Sequence, residues 1–150
     1  MALFIYGTLL HDGLFAALAG SGDGACRPAT LADHRVDRID GAVYPMLVAR
    51  VGATAQGKLW TGLSAAQLNR LDIYETAFGY DRRAVQVTTA DGATHAATAY
   101  FPPPRLVSGG EPWSYAAWEV SAAAQNLETA QEIAAFDPPL SPEALARQWP

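Results

Sequence analysis

Asp91-Gly92 lies between two runs of strand-forming residues, Arg83–Thr89 and Ala93–Phe101, and this junction narrows the possible folds more than any other stretch of the chain. Asp-Gly suits the positive φ values of a two-residue turn whose twist matches that of its flanking strands, so the two runs are expected to pair as an antiparallel hairpin. The apolar run Ala2–Tyr6 stops sharply at Gly7 and reads as a further, buried strand. Short strands are expected from Ala29–Leu31 onward, over Ala42–Val48 around the Tyr44-Pro45 step, and over Ala55–Trp60. Several strands, with one helix in the middle of the chain and another at its end, point to an α+β or barrel-like sheet with helices packed on it.

The helices carry their own signals. Ser64-Ala65-Ala66-Gln67 fits the capping box, and Leu68, Leu71 and Ile73 or Tyr74 give the segment an apolar side. Leu9–Leu18 has helical spacing, with Asp12 the expected N-cap, and Ser21-Gly22-Asp23-Gly24 is a loop. Pro102-Pro103-Pro104 followed by Ser108-Gly109-Gly110 reads as a stiff-then-loose crossing. Trp113–Ala135 is expected to be one Ala-rich helix entered near Pro112, stopped by Asp137-Pro138-Pro139, with a short helix over Ser141–Trp149 beyond. The expectation is therefore a single domain over residues 1–150, in which residues 113–150 form a C-terminal helical extension that packs on the rest.

Composition removes several classes of function. Half the residues are hydrophobic and 17% are charged, which is globular. The net charge of −5, with no Lys/Arg cluster, disfavours nucleic acid, whose binding needs a basic face. His11, His34 and His95 are too scattered for a metal site, and no cofactor fingerprint is present. No apolar run is long enough to span a bilayer, so no membrane partner is expected and a cytoplasmic location is the default. The single Cys26 forms no internal disulfide and reads as an incidental or structural thiol; the fold must rest on packing.

Two places remain for chemistry. A strand that ends at glycine and turns, as at Tyr6-Gly7-Thr8-Leu9, leaves backbone N–H groups free to bind a carboxylate, although four residues alone equally make an ordinary strand end. Glu75 falls at the end of the helix begun at Ser64, at i+4 from Leu71, where partial desolvation raises a carboxyl pKa into the range useful for proton transfer. On spacing alone it is as readily a solvated acid, or the partner of Arg82 or Arg83. Asp72 falls on a different face. Tyr80, Arg82 and Tyr100 follow in strand-like surroundings: the phenols suit packing, and the arginine suits orientation of a carboxylate.

Six segments in order give a resemblance. Phe4-Ile5-Tyr6-Gly7-Thr8-Leu9, Gly41-Ala42-Val43-Tyr44-Pro45, Gln56-Gly57-Lys58-Leu59-Trp60, Leu71-Asp72-Ile73-Tyr74-Glu75, Tyr80-Asp81-Arg82 and Ala97-Thr98-Ala99-Tyr100 resemble the motifs of the γ-glutamylcyclotransferase (AIG2-like) family. They span roughly the first two-thirds of the chain. Leu10-His11-Asp12 departs from the pattern, since members often have Arg there, and the Trp-containing tail from Trp113 lies outside it.

The resemblance implies a small mixed β-barrel with flanking helices and a pocket at the barrel mouth. It implies a small γ-glutamyl substrate, cyclised to 5-oxoproline with release of an amine, and no cofactor. Glu75 takes the catalytic acid/base role. Tyr6, Gly7, Thr8, Leu9, Tyr80, Arg82 and Tyr100 take substrate-binding positions. A non-catalytic γ-glutamyl or carboxylate-binding module and an amidase that hydrolyses γ-glutamyl conjugates are the alternatives.

Overall fold

The computed structural model describes residues 2–20, 22 and 24–135. The expected helix over 141–149 lies outside them, as do Ser21 and Asp23 of the expected loop. Six strands form the sheet: β1 (Leu3–Ile5), β2 (Ala25–Ile39), β3 (Pro45–Thr61), β4 (Asp81–Thr89), β5 (Thr94–Phe101) and β6 (Ser108–Pro112). Their order is β3-β1-β5-β4-β2-β6, and β2 also pairs with β3. That last pairing closes β1–β5 into a five-stranded barrel, leaving β6 as a flap on β2. Every pairing is antiparallel except β1 with β5, so the barrel is mixed.

The hairpin around Asp91-Gly92 forms as expected, with the register running from Asp81↔Phe101 to Thr88↔Thr94, but its turn spans Thr89–Gly92: Gly92 N donates to the Thr89 carbonyl at 2.9 Å, and Gly92 (φ 84°), not Asp91, takes the positive φ. The three short strands expected between residues 29 and 60 are instead two long ones. Ala25↔Thr61 to Ala32↔Thr54 is one register and His34↔Ala49 to Arg38↔Pro45 another, joined by a bulge. Asp33 sits there at φ 59°, and its Oδ1 accepts from Gly52 N at 3.0 Å. A short polar side chain that bonds locally tolerates this left-handed backbone, so the strand bends without ending.

β1 explains its own sequence. Leu3 and Ile5 face the helices, while Phe4 and Tyr6 point into the barrel, so the run is apolar on both faces and buried throughout. The barrel interior sets Phe4, Leu31, Leu47, Leu59 and Val87 against Ala29, Ala55, Ala97 and Ala99. Large side chains thus alternate with small ones, as a narrow five-stranded barrel requires. Gly57 serves the same crowding: a Cβ there would lie 2.2 Å from the Ile5 carbonyl oxygen.

Helices α1 (Asp12–Ala19), α2 (Ala65–Ala77), α3 (Tyr115–Ser121) and α4 (Ala123–Ala134) build the second core, with Leu14, Leu18, Leu71, Trp118 and Ala130 buried among them. None is long and apolar enough to cross a membrane. The capping box at Ser64 is complete: Gln67 N donates to Ser64 Oγ at 3.1 Å, and Ser64 N to Gln67 Oε1 at 2.9 Å. Three expectations are corrected. His11, not Asp12, caps α1, its Nδ1 accepting from Leu14 N at 3.0 Å. The single helix expected over 113–135 is two, divided at Ala122 (φ −137°), where the Ser121 hydroxyl donates back to the Ala117 carbonyl. Finally, Ser108-Gly109-Gly110, expected to be loose, belongs to β6 and pairs with β2.

Candidate functional site

One end of the barrel gathers the C-terminal ends of β1, β2 and β5 with the starts of β3 and β4, and the last turn of α2 leans over it. A cavity of about 360 Å³ opens there, within the usual range for a small-molecule site. Tyr6, Gly7, Thr8, Leu9, Glu75, Tyr80 and Tyr100 all line it. Arg82, the remaining sequence candidate, does not. Its guanidinium donates to Asp72 through Nε (2.7 Å) and Nη2 (3.0 Å), and Nη1 donates to Thr98 Oγ1 at 3.3 Å. The carboxylate it orients is therefore Asp72, and Arg83 lies 3.5 Å from Asp81. Neither arginine forms an ion pair with Glu75.

Among the described residues, Glu75 is the one carboxylic acid lining the cavity. Among the described residues no donor forms a hydrogen bond with its side chain. Desolvation, and secondarily the charge of Asp72 one turn earlier, push its pKa up to about 8. Around it stand phenols whose pKa values burial drives upward: Tyr6, Tyr74, Tyr80 and Tyr100. Three of these hydroxyls are committed as donors within the protein. Tyr6 donates to the Tyr100 carbonyl, Tyr80 to the Pro45 carbonyl at 2.8 Å, and Tyr100 to Asp72 Oδ1 at 2.7 Å. They stay neutral and fixed, so Glu75 is the lining acid that changes protonation near pH 7–8.

Residues 7–10 supply the opposite polarity. Thr8–Leu10 form a single 3-10 turn, with Leu10 N donating to the Gly7 carbonyl at 3.0 Å. The N–H groups of Gly7, Thr8 and Leu9 have no acceptor among the described residues, as the opening of a helical turn requires. Gly7 has a packing role as well as its place in this turn. A Cβ there would come within 2.8 Å of Pro45 Cγ, so the glycine also lets the Tyr44-Pro45 step close the barrel mouth.

Sequence reasoning missed several lining residues. Arg105, a cation on the crossing after β5, donates to the Phe78 carbonyl at 3.3 Å. Asn126 reaches the cavity from α4. Tyr44, Pro45, Tyr74 and Phe78 complete much of the apolar wall. The first two belong to a motif already singled out; the last two flank Glu75 at one residue before and three after. Nothing in the sequence signals Arg105 or Asn126.

Comparisons with known proteins bear on this geometry. The sequence profile of the family described as gamma-glutamyl cyclotransferase, AIG2-like, matches residues 3–120. The Arabidopsis thaliana protein AIG2 C is 27% identical over 136 residues, covering 87% of this chain and 79% of that protein. A solution structure of an Arabidopsis thaliana protein superposes with a TM-score of 0.65 at 23% identity, covering 88% of this chain and 89% of that one. A solved gamma-glutamyl cyclotransferase gives a TM-score of 0.61 at 20% identity, over 71% of this chain and 68% of that one. The two structural likenesses concern the fold.

Proposed function

Given that the chain belongs to the gamma-glutamyl cyclotransferase, AIG2-like family, we propose that it cyclises the γ-glutamyl group of a small conjugate to 5-oxoproline, with Glu75 as its proton carrier. One observation carries this reading: a carboxyl with a pKa of about 8 lines the same cavity as Gly7, Thr8 and Leu9, whose backbone N–H groups have no acceptor among the described residues.

The substrate brings its own nucleophile. In the proposed pose the N–H groups of Gly7, Thr8 and Leu9 bind the glutamyl α-carboxylate, needing no charged side chain. Ionised Glu75 takes a proton from the α-ammonium. The freed nitrogen attacks the γ-carbonyl carbon, forming the ring C–N bond. The amide C–N bond to the other half then breaks, Glu75 returns its proton to the departing nitrogen, and Glu75 relays the second proton of the ring nitrogen to the released amine, which leaves as an ammonium. Atoms balance without water or an enzyme nucleophile.

The energetics suit the cavity. An α-amino group titrates near about 8, so transfer to a carboxyl of similar pKa costs little in either direction. Acid/base assistance of this kind contributes about 10²–10⁴-fold, and holding the folded-back geometry supplies roughly 7–11 kcal/mol in well-aligned intramolecular reactions.

The test is a panel of γ-glutamyl amines and peptides assayed for both 5-oxoproline and free glutamate. Formation of 5-oxoproline that is lost in Glu75→Gln supports the proposal. Free glutamate would mark hydrolysis, and binding without product would mark a carboxylate-binding module.

A further inference from the structure

One residue of the cavity lining comes from beyond the residues that match the family. The match ends at residue 120, and α4 follows it, contributing Asn126 to the lining. Asn126 is held by a single defined contact: Trp118 Nε1 donates to its Oδ1 at 2.9 Å. An indole nitrogen has a hydrogen to give and no lone pair to receive with, so only the amide oxygen can face it. The orientation of the amide is thereby fixed by chemistry, which density alone seldom decides. Its oxygen is used, and both Nδ2 hydrogens lack an acceptor among the described residues.

Trp118 is a firm anchor for this arrangement. It is fully buried, with its ring centroid 5.5 Å from Tyr115, 5.8 Å from His11 and 6.2 Å from Trp113. Trp113 is fixed in turn, donating through Nε1 to the Val43 carbonyl at 2.7 Å. A donor presented on so rigid a mount loses little freedom when it binds a ligand.

We propose that Asn126 is a specificity-determining residue, its amide N–H binding a carboxylate oxygen of the γ-glutamyl substrate; this rests on the function proposed above. A neutral donor suits a cavity that already holds Glu75, because it recognises an anion without forming an ion pair with the proton carrier.

Asn126→Asp separates this role from a purely structural one. Aspartate still offers Trp118 an oxygen, so the helix contact survives, but it has no amide hydrogen and repels a carboxylate. Binding is read by calorimetry and turnover by 5-oxoproline, with γ-glutamylalanine and γ-glutamylethylamine as probes. The proposal expects affinity to fall about 10- to 100-fold, with the melting temperature nearly unchanged. A penalty on both probes assigns the contact to the glutamyl carboxylate, and a penalty on γ-glutamylalanine alone assigns it to the released half. Should the parent bind the probes without forming 5-oxoproline, the cyclisation reading fails, while the affinity ratio still decides the role of Asn126. Equal affinity of parent and variant for both probes overturns the proposal, as does failure of the parent to bind either.

Discussion

Asp72 and Glu75 lie three residues apart on α2, yet the Asp72 carboxyl accepts from Arg82 and Tyr100 while no described residue donates to the Glu75 carboxyl. Two carboxyls on one helix therefore divide their work by environment. The Asp72 carboxyl is held by its donors, and its charge reinforces the desolvation that keeps Glu75 protonated to about pH 8.

Replacing Asp72 with Asn removes the like charge and keeps the shape. Glu75 should then ionise at lower pH, and the rising limb of kcat/KM for 5-oxoproline formation should move in the acid direction. The movement is partial, because desolvation, the larger cause, remains. Rate profiles from pH 5.5 to 9.5 for parent and variant measure it; superimposable profiles would remove Asp72 as a source of the shift. The loss of ionic character at Arg82 is expected to cost about 1 kcal/mol, since both side chains are partly exposed.

Glu75 also sets how stability depends on pH. Its folded pKa of about 8 lies above the ordinary value of 4.5, so below pH 4.5 both states are protonated and no penalty exists. Between pH 4.5 and 8 the unfolded chain releases the proton that the folded one retains, and stability falls as pH rises. Glu75→Gln removes this loss. The variant should be more stable than the parent above pH 8, by on the order of 2–4 kcal/mol after allowance for partial solvent contact, with the gain absent below pH 4.5. Urea unfolding at pH 4.5, 7 and 9 reads it directly.

Two glycines should respond differently to a methyl group. Gly57→Ala drives a Cβ to 2.2 Å from a backbone oxygen of β1, which cannot swing aside; a loss above about 3 kcal/mol, or no folded protein, is expected. Gly7→Ala meets the Pro45 ring at 2.8 Å, which yields more easily. That variant should fold, with urea midpoint only modestly lowered, and with KM raised because the 7–10 turn is displaced. The urea midpoints of both variants, with KM for Gly7→Ala, test the contrast.

Ser64→Ala tests the frame that carries Glu75. Loss of the cap should cost about 1 kcal/mol, read as a lower melting temperature, while KM holds, because the cap lies at the far end of α2 from Glu75.

Local chemistry explains which features the sequence made legible. The turn around Asp91-Gly92 and the box at Ser64–Gln67 are complete within a few residues, and both form where expected. The motif segments likewise bring Tyr6–Leu9, Glu75, Tyr80 and Tyr100 to one cavity. What escaped depends on distant partners. The continuity of β2 and β3 rests on Asp33 accepting from Gly52, nineteen residues on. The engagement of Arg82 with Asp72 rather than Glu75 follows from how β4 packs on α2, and spacing is silent on that choice. The break at Ala122 has neither glycine nor proline to announce it. Asn126 needs Trp118 to give it a meaning.

The parallel contact of Leu3 with Thr98 joins the two ends of the barrel sequence. The β2–β3 and β4–β5 hairpins join neighbours in sequence, but the first strand lacks one of its neighbours until the fifth has been made. Loop closure over that length makes this the slow event. The turn that follows β1 lines the cavity, so the place that holds a ligand is complete only once this contact between distant parts of the chain is made.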